Sequence, residues 1–175
     1  DSWIYNSDGQ KKRLQGAGST MYADVSNAAM HMSHRHFPHH VLKHEMTHVI
    51  TAEWGIPYFG WSAKVGLTEG VAVSREGYRD AGTIHQWAAA MKRMGKLPKA
   101  EQVMGPLGFW TKLGSRAYLA AGSFSLWLIE TGGLDDYRRA YTWGRFESVY
   151  SAPVEVLGLE WSDFLETVDV PDKVM

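Results

Sequence analysis

Cysteine is absent from this 175-residue chain. Its absence excludes a disulfide framework, a thiol nucleophile, a cysteine-ligated zinc or iron–sulfur site and thiol redox chemistry. An excess of charge is also lacking, since 18 basic and 19 acidic residues give a formal net charge of -1 at pH 7. This balance provides no electrostatic basis for binding nucleic acid or an anionic membrane surface.

Long hydrophobic runs are missing as well. The longest stretch without a charged residue runs from Ala117 to Ile129, which is shorter than the roughly 18 apolar residues of a transmembrane helix. No signal peptide is visible, and the chain starts at Asp1 rather than at Met. We therefore expect residues 1–175 to be one domain, processed or excised from a longer protein, with any membrane anchor outside this sequence.

Hydrophobic residues make up 45% of the chain and charged residues 21%, which is the balance of a globular domain. The hydrophobic periodicity predicts a short N-terminal β layer followed by a mostly helical body, an α+β fold. Trp127, Trp143 and Trp161 are predicted to lie in the core. The predicted strands are Trp3–Tyr5, Gln10–Leu14 and Ala28–Ser33, and the predicted helices are His39–Glu53, Ala63–Glu76, Ile84–Met94, Arg116–Thr131, Leu134–Trp143 and Trp161–Val168.

Histidine is abundant, and seven of the eight histidines fall between His31 and His48. Residues 44–48 read His-Glu-Met-Thr-His. On a helix, positions i and i+4 share a face, so His44 and His48 can bind the same metal ion. Glu45 then lies beside the open coordination position, where it can accept a proton from water. The alternative is a pair of satisfied histidines on an amphipathic helix.

A third ligand must come from elsewhere in the chain, because Trp54 occupies the position where a further histidine would complete an extended motif. The best candidate is Glu69, in an otherwise apolar segment of the second predicted helix. Gly66 and Gly70 flank it one turn apart, and they are expected to let this helix approach the histidine helix closely. The alternative is an ordinary exposed glutamate.

The segments HEMTH (44–48) and GLTEGVA (66–72) resemble the gluzincin metallopeptidases, the thermolysin-like group with two histidines and a glutamate as zinc ligands. The segment RAYLAAGSF (116–124) is similar to the tyrosine–glycine segment that opens a downstream helix in the broader MA-type peptidase domains. The resemblance covers residues 28–168 and is most specific at 39–48 and 66–72. The chain is similar to small bacterial domains of this type, some of which are attached to membrane segments. The resemblance implies a minimal zincin-like domain. It leaves the compartment undetermined, with a membrane-associated and an extracytoplasmic bacterial protein as the two options.

Carried over by position, the resemblance implies one zinc ion held by His44, His48 and Glu69, with Glu45 as general base. It also implies that Tyr118 stabilises the oxyanion. The thermolysin-type pattern has an aspartate four residues after the ligand glutamate, where this chain has Val73. The residue that orients a zinc histidine is therefore unidentified in the sequence.

Other polar residues have weaker cases. His85 near a predicted helix start is an alternative oxyanion donor to Tyr118, or else a packed or surface histidine. The remaining histidines (His31, His34, His36, His39 and His40) define no single face, although His39 and His40 begin the motif helix. Four arginines could bind a substrate carboxylate but are more typical of a solvated helix face: Arg75, Arg79, Arg138 and Arg139.

The sequence therefore predicts a zinc-dependent peptidase acting on a peptide or protein substrate. The competing hypothesis is a non-catalytic, zinc-stabilised module that binds a peptide or protein. Its motivation is the short β segment and the valine at position 73. Glu45 argues against it, because a general base has no evident role in such a module.

Overall fold

The computed structural model of the protein describes residues 2–5, 11–14, 21–24, 29–32, 42–76, 82–105, 109 and 114–174. The N-terminal strands are Ser2–Tyr5 (β1), Lys11–Leu14 (β2), Met21–Asp24 (β3) and Ala29–Met32 (β4). β1 pairs antiparallel with β2, and β3 pairs antiparallel with β4. The second hairpin lies beside the first helix.

Helices form the rest of the described chain. They are Leu42–Thr51 (α1), Val65–Arg75 (α2), Ile84–Arg93 (α3), Ala100–Met104 (α4), Gly114–Gly132 (α5), Leu134–Tyr141 (α6), Phe146–Tyr150 (α7) and Val154–Thr167 (α8), with 3-10 turns at Ala52–Trp54 and Asp172–Val174. No helix among the described residues is long and apolar enough to span a bilayer.

The α+β class expected from the sequence is wrong, and the protein is all-α. Each described hairpin has only two four-residue strands, which is too little to form a layer that supports a core. Among the side chains that the structure describes, the buried hydrophobic residues begin at Leu67 and all lie in or beside the helical body. The hydrophobic core of this fold is therefore formed between helices rather than between a sheet and helices.

The contact between α2 and α5 is the centre of the body. A Cβ atom on Gly70 would lie 2.6 Å from the carbonyl oxygen of Ala121, and one on Gly122 would lie 2.5 Å from the side chain of Val73. Gly66 faces the backbone of Val103 in α4. The two glycines of α2 therefore permit close approach to α4 and α5, and the expectation that they face the histidine helix is wrong.

Several local predictions can be compared directly with the structure. Thr83 caps α3 in a reciprocal arrangement with Gln86, as its sequence position predicts. Ser115 is predicted to cap the helix that starts at Arg116, but it lies inside α5, which begins at Gly114. Trp127 and Trp161 are buried as predicted, but Trp143 is 50% exposed and lies outside the core. The first residues of the predicted helix His39–Glu53 lie outside the described residues.

Candidate metal centre

Helix α1 places His44 and His48 one turn apart on its buried face. The two Nε2 atoms are 3.0 Å from each other, and the rings meet edge to face with centroids 4.6 Å apart. Two ring nitrogens at this distance can share at most one proton, so at least one Nε2 lone pair faces the same space. This is the local arrangement that the four-residue spacing predicts.

Glu69 completes the cluster from helix α2, and its side chain is buried beside the two rings. Its Oε2 atom lies 3.3 Å from Nε2 of His44 and 3.6 Å from Nε2 of His48. Ligand atoms about 2.0–2.2 Å from a tetrahedrally coordinated ion lie about 3.3–3.6 Å apart. The observed separations of 3.0 to 3.6 Å are close to that spacing, so the buried His–His–Glu group can hold a metal ion.

A fourth residue, Glu76, supports this cluster from the end of α2. Its Oε1 atom lies 2.5 Å from Nδ1 of His44, on the ring nitrogen that does not face Glu69. A carboxylate there fixes the tautomer and orientation of a metal-binding imidazole. The sequence analysis missed Glu76 because the family pattern pointed to position 73, where the valine is buried in the core. The available signal was the seven-residue spacing from Glu69, which is about two helical turns and so the same face.

The two carboxylates dominate the electrostatics of His44. Burial by itself lowers the pKa of His44, but hydrogen bonds with Glu69 and Glu76 and their negative charges outweigh burial and raise the pKa to about 9. Burial likewise raises the pKa of Glu69, but the two histidines outweigh it and lower the pKa to about 2. Without a metal, the site is therefore an ion pair between a protonated imidazole and carboxylates, and a bound cation would replace that proton.

His48 differs from His44 in its outer contacts. Its Nδ1 atom is buried and has no hydrogen-bond partner among the described residues. Burying a ring nitrogen without a hydrogen-bond partner costs free energy. The Nδ1 side of the ring therefore does not help to hold His48 in place. The position of His48 is instead defined by the contacts of its Nε2 atom with His44 and Glu69.

Glu45 and Tyr118 lie next to the cluster without belonging to it. Glu45 is half-buried on α1, and among the described residues its carboxylate has no hydrogen-bond partner. The ring of Tyr118, from α5, lies 6.4 Å from the ring of His44 and 4.8 Å from that of Phe109. Burial first, and then the charges of Glu69, Glu45 and Glu76, raise the pKa of Tyr118 to about 12. The phenol therefore keeps its proton at neutral pH and is available as a donor.

The structure places His85 in a different cluster. Its Nδ1 atom lies 2.9 Å from Oγ of Ser123, and its Nε2 atom lies 3.1 Å from Oε2 of Glu130. Trp161 donates to the same Ser123 oxygen at 3.2 Å. No contact in the described part of the chain joins His85 to the His–His–Glu group. Both ring nitrogens therefore have partners, in a network that connects α3, α5 and α8 and reaches the surface at Glu130.

The remaining sequence candidates do not meet the cluster in the described structure. Arg139 pairs with Asp136 at 2.5 Å, while Arg138 lies 3.4 Å from Glu53 and over the ring of Trp54. The side chains of the upstream histidines and of Arg79 lie outside the described residues. The arginines of α6 therefore belong to a solvated helix face, which is the alternative that their pattern favoured.

Trp61 is a site neighbour that the sequence analysis did not select. Its ring centroid lies 6.3 Å from that of His48, with the ring planes inclined by 36°. Trp61 thus flanks His48 as Tyr118 flanks His44, so each histidine of the His–His–Glu group has an aromatic ring beside it. No family model, curated protein or solved structure matches this chain.

Proposed function

We propose that the protein is a zinc-dependent peptidase. The observation that carries this proposal is the buried His44–His48–Glu69 group. Glu45 directly follows His44 in the chain and is not a member of that group. Two imidazoles and one carboxylate are a typical ligand set of catalytic zinc, which keeps a fourth position for water or substrate. Such a site holds about one ion per chain.

His44, His48 and Glu69 would hold the zinc ion, which would supply Lewis acidity toward a water molecule and a peptide carbonyl group. Glu45 then acts as general base: it accepts the proton of the attacking water and passes it to the leaving amine. Tyr118 donates its O–H to the carbonyl oxygen on which negative charge develops. Glu76 holds the ring of His44 in the orientation that directs Nε2 toward the other ligands.

A second candidate is a zinc-stabilised module that binds a peptide without cleaving it. The observation in its favour is that all three ligand side chains are buried and join α1 to α2. A metal in this position would hold the two helices together. The two candidates differ in what they require of Glu45. A peptidase needs it as general base, whereas a binding module does not need it, because no described hydrogen bond of Glu45 stabilises the fold.

Glu45→Gln discriminates between the two functions. In a peptidase this variant keeps zinc and fold but loses most of its turnover of a peptide library, whereas a binding module is unaffected. His44→Ala should lose the metal, as measured by elemental analysis of the purified protein. The matched control is Glu53→Gln, because Glu53 is 68% exposed and its only described ion pair is with Arg138.

Two outcomes contradict the proposal. One is a protein that binds zinc equally well after His44→Ala. The other is a zinc-loaded wild-type protein that cleaves no member of a peptide library covering all residue types at each position.

A further inference from the structure

The loop between α1 and α2 has an unusual surface. Residues 54–63 (WGIPYFGWSA) contain no charged side chain. Three aromatic residues of this loop are exposed: Tyr58 by 97%, Phe59 by 65% and Trp61 by 44%. Exposed aromatic groups of this kind typically mark a binding surface rather than a neutral part of a protein.

The backbone of the loop is fixed despite its exposed side chains. Ile56 donates to the carbonyl of Trp61 at 2.8 Å and accepts from Gly60 at 3.0 Å. Tyr58 adopts a positive φ of 70°, a conformation that is costly for a residue with a side chain. Gly55 packs so closely that a Cβ atom there would lie 2.5 Å from the nitrogen of Trp61.

The residues that follow Trp61 are hydrogen-bonded to α2 and to the end of α6. Ser62 is buried, its amide donates to Oγ1 of Thr68 at 3.1 Å, and its hydroxyl donates to the carbonyl of Tyr141. The amide of Ala63 donates to the carbonyl of Thr142 at 2.8 Å. Thr68 immediately precedes the ligand Glu69. Trp61 is therefore held between two constrained segments and at a defined position beside the metal cluster.

We infer that Trp61 is a specificity-determining residue, whose ring receives an apolar, preferably aromatic, side chain of the substrate next to the bond that is cleaved. The inference rests on the proposed peptidase function and adds the substrate class to it. The ring is nearly half exposed and only 6.3 Å from the ring of His48, so a peptide positioned at the metal cluster must pass beside it. A rigid indole offers a large apolar face with little loss of conformational entropy on binding.

The absence of charged side chains from the loop supports the same substrate class. Glu53 and Lys64 are the nearest charged residues along the chain on either side of the ten uncharged positions. A charged substrate side chain at Trp61 would lose hydration without gaining an ionic partner from this loop. An apolar side chain would gain from the same desolvation.

The test measures binding separately from cleavage. Zinc-loaded Glu45→Gln protein is titrated calorimetrically with a blocked hexa-alanine peptide and with versions that carry one phenylalanine at each position in turn. At one position the phenylalanine should tighten binding by about ten-fold. Trp61→Ala in the same background should abolish that preference, and Trp61→Phe should retain part of it. Trp143→Ala is the matched control, because Trp143 is 50% exposed and outside the described site.

The wild-type enzyme provides the second measurement. The ratio of kcat/KM between the preferred phenylalanine peptide and the alanine peptide should fall by about ten-fold in Trp61→Ala. Zinc content and thermal midpoint identify any variant that has lost its fold. If Trp61→Ala is such a variant, the kcat/KM ratio of Trp61→Phe is compared with wild type instead. Failure of the wild-type protein to cleave any peptide would overturn the proposed function, while the binding experiment would still test Trp61.

Four results overturn the inference. Three come from the peptides: binding of none of them, equal affinity for the alanine and phenylalanine peptides, and a phenylalanine preference that survives Trp61→Ala. The fourth is a loss of co-sedimentation with phosphatidylcholine vesicles in Trp61→Ala without any change in peptide preference. That result would assign the aromatic loop to a lipid surface instead.

Discussion

Glu76 Oε1 lies 2.5 Å from Nδ1 of His44, although the two residues are 32 positions apart in the sequence. The contact joins the residue that follows α2 to the first turn of α1. Because Glu69 lies in α2 and Glu76 directly follows that helix on the same face, α2 positions both a carboxylate of the His–His–Glu group and the carboxylate that orients His44. A displacement of α2 would therefore change both functions together.

Removal of the Glu76 carboxylate should weaken metal binding without abolishing it. Glu76→Ala is expected to lower zinc affinity about 10- to 100-fold, because the ring of His44 loses its orienting partner. Glu76→Gln should have a smaller effect, since the amide oxygen can still accept a hydrogen bond. Competition with a chromophoric chelator measures both values, and Glu53→Gln is the exposed control. Wild-type affinity in Glu76→Ala would contradict this role.

Tyr118→Phe should reduce turnover while zinc content and thermal stability remain unchanged. Loss of one hydrogen-bond donor to a developing oxyanion typically costs about 100- to 1000-fold in kcat. KM should change little, because the donor acts mainly in the transition state. Steady-state kinetics on a cleaved peptide test this expectation, with Tyr58→Phe as the control because Tyr58 is 97% exposed. If Tyr118→Phe cleaves at the wild-type rate, another donor holds the oxyanion.

His85 should affect stability rather than turnover. Burial lowers the pKa of His85 and outweighs the charge and hydrogen bond of Glu130, which raise it. The unfolded chain therefore binds a proton more readily than the folded chain, and stability is lost as the pH falls below the ordinary histidine value of 6.5.

Urea unfolding of the zinc-loaded protein between pH 5 and pH 8 tests the role of His85. Below about pH 6.5, the free energy of unfolding should fall less steeply with decreasing pH in His85→Gln than in wild type. The difference between the two proteins is the informative quantity, because loss of metal at low pH affects both. Zinc content and kcat should stay within about two-fold of wild type at neutral pH, below the effect of a lost oxyanion donor. A large fall in kcat would instead support the oxyanion role that the sequence left open for His85.

Gly70→Ala should destabilise the protein by about 1–3 kcal/mol, because the added methyl group overlaps the side chain of Ser125 and the backbone of Ala121. Gly114→Ala is the matched control. Gly114 begins α5 and has open space around its Cβ position, so alanine there should be neutral or slightly stabilising. Thermal unfolding of both zinc-loaded variants distinguishes them, and equal midpoints would contradict the close packing of α2 on α5.

Several features of this protein depend only on local sequence. The convergence of His44 and His48 is one, because a four-residue spacing on any regular helix brings two side chains to the same face. The cap at Thr83 is another, since its partner is three residues away. Glu69 could be selected because a polar residue in an apolar helical segment needs a partner to offset its burial. The structure brings it to the two histidines, in a cluster that can hold a metal ion.

Other features were decided by contacts between residues far apart in the chain. The β-type residues of the N terminus predicted a sheet layer, but two-stranded hairpins leave the core to helix–helix packing. The spacing of Glu76 from Glu69 indicates only a shared helix face, and no periodicity selects Trp61. The roles of both residues arise from the crossing of α2 over α1 and from the folding of a loop against α2 and α6. The sequence by itself determined which residues share a helix face. Only the tertiary structure decided which faces meet, because that depends on close packing at Gly66, Gly70 and Gly122, where the absence of a side chain lets α2 contact its neighbours.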